Sequence, residues 1–359
     1  MSQKKFLKFI AYLQIIGIIL VVFGHSFHEY PDGLQGKTLL CYRMPFSFRM
    51  PLFLFVSGFL LYFTTFKSGK SVHPTHFIFM KFKRLIIPYL VLGAVTFIPR
   101  ANLSAMADDP VSLDMKSFAE SFFYSDKLVI PFFWFIQVSF ILLTVCYTIL
   151  YISRKNARCH EFTIFVLILI SLLLYFLPFP TSTFLSTDCI CVMAVYFVSG
   201  IAYARHKEKI DLFLPWTDLR FTILLALIWA VLFFLTENTT LIIFCSVAGI
   251  MMCISIAKIM ERHNLTFLDH LTGANYIIFL LSWYFNVLSQ QVLHHYVELP
   301  WWVFTLLSLT CGIYIPFLFY RLMQNHPTHP ISRIFAFLLG QSFRDTNTRH
   351  TSTGKRNQR

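Results

Sequence analysis

The chain has 359 residues, of which 57% are hydrophobic and 13% are charged, and 42 of them are phenylalanine. Soluble domains are about half apolar and about a quarter charged, so this composition disfavours a water-soluble fold, a disulfide scaffold and a disordered chain. The formal net charge is +13, and in a membrane protein the basic residues report orientation rather than a nucleic-acid partner.

The apolar residues are grouped into runs of about 20, the length that a helix needs to cross about 30 Å of hydrocarbon. The first run follows three lysines but lacks a small-residue cleavage site, so we expect a retained helix rather than a signal peptide. The sequence thus predicts an all-α polytopic membrane protein. The runs predict about ten transmembrane helices, near residues 6–27, 45–66, 84–99, 129–152, 162–179, 185–204, 221–236, 239–259, 273–292 and 300–321.

The distribution of the basic residues predicts one orientation for these helices. If both termini are cytoplasmic, 24 of the 30 Lys and Arg residues fall in cytoplasmic segments and 5 in outside loops, with Arg49 inside a span. This asymmetry follows the positive-inside rule, so both termini are predicted to be cytoplasmic. We expect one integral membrane domain over residues 1–340 and a basic, disordered tail over 341–359.

The eight cysteines include no CxxC pair and lie mostly in apolar runs, where cysteine behaves as a small hydrophobic residue. Metal-binding, nucleotide-binding and serine-hydrolase motifs are also absent from the sequence. We therefore predict no metal cofactor and no nucleic-acid partner.

His25 lies near the outer end of the first predicted span. Gln14 precedes it by 11 residues, which on an α-helix returns to nearly the same face about 16 Å away along the axis. His28 lies one turn beyond His25 and extends this polar stripe outward. Two interpretations stay open: His25 forms an interfacial hydrogen bond, or it acts as a general base.

Two further charged residues lie at a similar outer depth. Arg49 is about one turn into the second span. Either its side chain snorkels to the membrane interface, or it takes part in a functional site within the membrane. Asp188 begins the sixth span, where helix capping competes with a functional role.

On the cytoplasmic side, Lys81, Lys83 and Arg84 precede the third span. A basic cluster at this place is typical of a topology signal in contact with anionic lipid. The alternative is a phosphate site, because Lys81 and Arg84 are three residues apart and face the same way on a helix.

Five segments in this order resemble membrane acyltransferase family 3, in particular its fucose 4-O-acetylase-like branch. They are YLQIIGIILVVFGHS, RMPLFLFVSGFLLYF, KFKRLIIPYLVLG, PFFWFIQVSFI and TGANYIIFLLSWYF. The resemblance covers nearly the whole chain. It implies about ten helices and transfer of an acyl group, usually acetyl from cytoplasmic acetyl-CoA, to a hydroxyl of an envelope saccharide.

The resemblance also implies roles for individual residues. His25 matches the family histidine that is essential for transfer, and Lys81 with Arg84 matches basic positions associated with the CoA phosphates. The chain departs from the family at Gln14, where Arg or Lys is usual, and at Arg49, where His is frequent.

We therefore expect His25 and Arg49 to be catalytic. Gln14, Lys81 and Arg84 are assigned to the donor acetyl-CoA, and His28 and Asp188 to a saccharide or lipid-linked glycan acceptor. The expected location is the bacterial inner membrane, and the oligomeric state is not readable from the sequence. The alternatives are a diverged member acting in polysaccharide export, a transferase of another acyl group, and a secondary transporter.

Overall fold

The structure, a computed structural model, describes residues 3–27, 36–102, 112–177, 182–235, 239–296 and 299–341. Within these ranges the regular elements are helices, and the predicted all-α class is confirmed. The predicted residue His28 and nearly all of the predicted tail lie outside the described residues. In chain order the α-helices are α1 (Gln3–Gly24), α2 (Gly36–Phe46), α3 (Arg49–Leu61), α4 (Pro74–Lys81), α5 (Ile87–Asn102), α6 (Met115–Phe123), α7 (Trp134–Ser153), α8 (Ala157–Phe176), α9 (Thr187–Phe213), α10 (Leu219–Leu235), α11 (Thr239–Arg262), α12 (Asn275–Tyr296), α13 (Trp301–Asn325) and α14 (Pro330–Leu338).

Among the described residues, seven helical stretches are long and apolar enough to cross a membrane, and α1 and α10 contain shorter apolar helices. The chain is therefore a multi-pass membrane protein. The predicted third span, 84–99, falls on α5, which has only 16 residues. It continues a helix that starts at Pro74 and passes through a π-helical segment, Phe82–Ile86. The number of ten spans and the orientation of the termini stay predictions. The seven stretches are Leu39–Lys67, Pro131–Ser153, Ala157–Phe176, Thr187–Phe213, Leu241–Arg262, Asn275–Leu293 and Trp301–Asn325.

Helix α1 lies at the centre of the bundle. It contacts α3, α11, α12 and α13, and Leu13, Ile15 and Ile18 on it are completely buried. A helix that is apolar on all sides is stable in such a position, because every face meets another apolar surface. Polar residues of α1 therefore face protein rather than lipid, which makes them candidates for a site.

Helices α3 and α9 form the tightest pair in the bundle. At Gly58 of α3, an added Cβ would overlap the carbonyl oxygen of Phe197, and at Gly200 of α9 it would overlap that of Phe55. The two glycines thus let the two backbones touch in both directions. Small residues serve this purpose in membrane helix pairs, where van der Waals contact replaces the hydrophobic effect.

Gly58→Ala is expected to destabilise the protein by about 1–3 kcal/mol, because the new methyl group must push two backbones apart. The measurement is the temperature at which the detergent-solubilised protein loses its monodisperse elution profile. Ser199→Ala is the matched control on α9, since the Ser199 hydroxyl donates to the Tyr196 carbonyl oxygen in the same helix (2.8 Å). An unchanged transition temperature for Gly58→Ala would show that the helices are less closely packed than described.

Candidate active site

Two cavities in the described part of the chain contact the first helical segment, one at Gln14, near the middle of α1, and the other at His25, just beyond its end. The inner cavity has a volume of about 370 Å³ and is lined by Gln14, Lys81 and Arg84 together with residues of α3, α7 and α12. The outer cavity has a volume of about 700 Å³ and is lined by His25 and Arg49 together with residues of α2, α7, α9 and α11. The names follow the predicted orientation, in which Lys81 and Arg84 face the cytoplasm.

The basic side of the inner cavity is built by an irregular helix. Lys81 is the last residue of α4, and Arg84 lies in the π-helical segment that follows it. A π-helical turn changes the angle between successive side chains, and such turns are frequent at functional sites. Lys83 of the same basic cluster lies over the ring of Phe79 instead (4.3 Å) and does not line the cavity. The structure therefore divides the cluster into two cavity residues and one surface residue.

Two polar atoms in the inner cavity wall have no hydrogen-bond partner in the part of the chain that the structure describes. They are the hydroxyl oxygen of Ser139 on α7 and the side-chain carbonyl oxygen of Asn275, the first residue of α12. Leaving such groups buried and unpaired costs about 1–3 kcal/mol each, so they are expected to meet a ligand. Sequence analysis missed both residues. The signal was present, since each lies in a family-like segment as a polar residue among apolar neighbours.

Aromatic rings separate the two cavities. Phe53, Phe135 and Phe279 line the inner cavity, and Phe132 lines the outer one. The rings of Phe132 and Phe279 meet edge to face at 5.3 Å, and the ring of Phe132 lies 5.6 Å from that of His25. A chain of ring contacts, Phe279 to Phe132 to His25, thus connects the lining of the inner cavity with the histidine.

His25 follows the last turn of α1 and is held there by α12. Its backbone N–H donates to the Val22 carbonyl oxygen (3.0 Å), and its own carbonyl oxygen accepts from the side-chain amide of Gln290 (2.9 Å). The imidazole makes no hydrogen bond with any residue that the structure describes. The interfacial hydrogen bond considered from the sequence is thus made by the His25 backbone, and the ring is left for other chemistry.

Arg49 lies beside His25 and is only 3% exposed. Its guanidinium packs against Gly24, where an added Cβ would overlap it, and lies over the ring of Phe46 (4.2 Å). Among the described residues, the Nε and Nη1 atoms have no hydrogen-bond partner. Arg49 therefore does not snorkel to water, and its free donors make it suited to hold an anion in the outer cavity.

Asp188 does not line either cavity. It is in the first turn of α9, and the Ser125 hydroxyl donates to its carboxylate at 3.4 Å. The structure thus brings Gln14, Lys81 and Arg84 together in one cavity and His25 with Arg49 in another, but leaves Asp188 outside both. In the described part of the chain, no cluster of three His, Cys, Asp or Glu side chains could hold a metal ion.

The fold and the two cavities define a multi-pass membrane protein with a candidate site among its helices. The family profile described as an acyltransferase domain, acyltransferase family 3, matches residues 7–343. The chain belongs to this family and is an acyltransferase. No curated protein and no solved structure matches the chain. The resemblance read from the five segments is confirmed at the level of the family, and the fucose 4-O-acetylase-like branch stays a prediction.

Proposed function

We propose that the protein transfers an acetyl group from cytoplasmic acetyl-CoA to a hydroxyl of an envelope saccharide, such as O-antigen, capsule or exopolysaccharide, at a bacterial inner membrane. The observation that carries the proposal is that α1 contributes to two neighbouring cavities. One is lined by Lys81 and Arg84 on the side predicted to be cytoplasmic, and the other contains His25. A ring from each lining, Phe279 and Phe132, is in contact with the other.

The residues of the inner cavity fit the donor. Lys81 and Arg84 can pair with the phosphates of CoA, because charge-assisted contacts to phosphate are among the strongest hydrogen bonds. The volume of about 370 Å³ suits a slender pantetheine arm, while the nucleotide stays at the cytoplasmic mouth. The oxygens of Ser139 and Asn275, which have no partner among the described residues, can accept hydrogen bonds from the amide N–H groups of that arm.

Gln14 has a place in this binding mode. It lies in the inner cavity wall, where family members usually have a cation. A neutral amide can both donate and accept, so we assign Gln14 to the amides of the arm rather than to a phosphate. The phosphate contacts then fall to Lys81 and Arg84 alone.

His25 acts as the general base in the proposed reaction. Its imidazole takes the proton of the saccharide hydroxyl while the oxygen attacks the thioester carbonyl carbon. The carbon–sulfur bond then breaks, and the imidazolium returns the proton to the leaving thiolate, so that the products are an acetyl ester and free CoA. Arg49 stabilises the negative charge that develops on the carbonyl oxygen, with the two guanidinium atoms that have no protein partner.

The double variant Lys81→Ala/Arg84→Ala is expected to raise the KM for acetyl-CoA by about 10- to 100-fold, because two charge-assisted phosphate contacts are lost. The measurement is initial rate against acetyl-CoA concentration for protein in lipid nanodiscs. Lys83→Ala is the matched control, since it removes a charge from the same cluster but not from the cavity. Equal KM values for the double variant and the control would mean that the cluster only signals topology.

A further inference from the structure

The outer cavity has an unusual charge balance for a site inside a membrane protein. Two arginines line it, Arg49 in the wall and the exposed Arg43 of α2. None of its described lining residues is Asp or Glu. The cavity is therefore electropositive, and its low-dielectric walls strengthen this potential.

Elsewhere in the described part of the chain, some cations near the ends of the helices have carboxylate partners, as in two ion-paired groups. Lys207 and Lys258 share Asp211, and Arg205 pairs with Glu161. Burying a cation without an anion is costly, which explains these pairs. Arg49 is more deeply buried than Arg205 and yet keeps Nε and Nη1 unpaired. Its missing anion is best supplied by a ligand.

The second arginine stands apart from the reacting centre. Arg43 lines the same cavity but is exposed, whereas Arg49 is packed against Gly24, the residue before His25. Arg49 is thus suited to the charge that develops during transfer. Arg43 is suited to a charge that the acceptor already carries.

Aromatic side chains complete the outer cavity. Trp134, Tyr196 and Phe233 line it together with Tyr42. Flat apolar faces of this kind stack on the CH faces of sugar rings and on cations, but they do not attract free anions. A ligand that satisfies both the rings and the arginines has a sugar body and an anionic group.

We propose that the acceptor is an anionic saccharide, with a carboxylate or phosphate group, and that Arg43 determines this specificity. The inference rests on the proposed acyl transfer, in that it names the acceptor class for the same site. Arg43 meets the anionic group at the cavity mouth and orients the sugar so that one hydroxyl approaches His25. A neutral saccharide lacks this contact.

The test is ligand-induced stabilisation of the protein in phosphatidylcholine nanodiscs, with no acyl donor present. The probes are a galacturonic acid tetramer, the same tetramer reduced to neutral galactose, and an oligo(glycerol phosphate). We expect at least one anionic probe to raise the Tm at concentrations where the neutral tetramer does not. Carboxylate and phosphate are distinguished by which anionic probe binds. Arg43→Gln should weaken that binding by about 10- to 100-fold, whereas Lys116→Gln, which removes an exposed cation outside the cavity, should not.

Equal stabilisation by the acidic and neutral tetramers, or no stabilisation by any probe, overturns the proposal. The acidic residues of the neighbouring segment, Glu29 and Asp32, lie outside the described residues and are tested by Glu29→Gln/Asp32→Asn. If the wild type shows no preference and this variant gains one, the chain supplies its own anion and the proposal is also overturned. Failure of the proposed function looks different, because binding would keep its preference while no ester forms with acetyl-CoA.

Discussion

Replacing His25 by alanine is expected to reduce acyl transfer by about 10²- to 10⁴-fold, the usual cost of losing a general base. The imidazole has no hydrogen bond to a described residue and lies against Phe132, a ring of the outer cavity that contacts Phe279 of the inner one. Its removal therefore leaves the packing of α1 largely intact, since the contacts to α12 are made by the backbone. The measurement is ester formation per folded protein in nanodiscs, with acetyl-CoA and an acceptor glycan.

His270→Ala is the control for this variant. His270 is exposed and stacks on Tyr314, away from both cavities, so its removal should leave transfer near the wild-type rate. An active His25→Ala variant would eliminate the mechanism. The export alternative makes a separate prediction, in which a deletion strain fails to display the glycan at the surface but no ester is missing from the glycan that arrives.

Arg49→Gln is expected to lower kcat by about 10²- to 10³-fold, the range found when one donor to a developing oxyanion is removed. In the proposed mechanism the guanidinium contacts the transition state, so the loss should be similar for acidic and neutral acceptors. Arg43→Gln should instead change KM, and only for acidic acceptors. The roles of the two arginines are thus distinguished by whether the substitution changes kcat or KM.

Gly24→Ala offers an independent check on the position of Arg49. A methyl group at Gly24 would overlap the guanidinium, so the charge is kept but displaced. We expect a kcat below the wild-type value, with unchanged KM for acetyl-CoA. Full activity of both Gly24→Ala and Arg49→Gln would contradict a role for Arg49 in the reaction and leave the cavity with an electrostatic role alone.

The sequence predicted the helical membrane fold well, because runs of about 20 apolar residues have few other solutions. It also predicted that Lys81 and Arg84 face the same way, since they are at positions i and i+3 of a helix, and both line the inner cavity. Their assignment to the donor came from the family resemblance, which the match over residues 7–343 supports at the family level. The grouping of His25 with Arg49 required the packing of α1 against α3, which no local pattern reveals.

Other features depend on contacts between distant segments and could not be predicted. The unpaired oxygens of Ser139 and Asn275 come from α7 and α12, and the ring contact between Phe132 and Phe279 joins segments separated by more than a hundred residues. Asp188 shows that a sequence pattern can also group residues that the fold keeps apart. Its depth in the sequence resembled that of Arg49, but a shared depth does not imply a shared cavity, and its predicted role in acceptor binding has no support from the cavity lining.

The mutual glycine contact between α3 and α9 has a mechanical consequence. Carbonyl oxygens of each helix rest against the α-carbons of Gly58 and Gly200, so a small slide of one helix along the other would drive backbone atoms together. We expect the two helices to move together as one rigid body. This expectation disfavours a movement of the two helices relative to each other, of the kind that occurs when the halves of many transporters rock. In the proposed reaction, the acetyl group would then pass by rotation of aromatic side chains such as Phe132 and Phe279. Such rotations need no collective movement of the bundle.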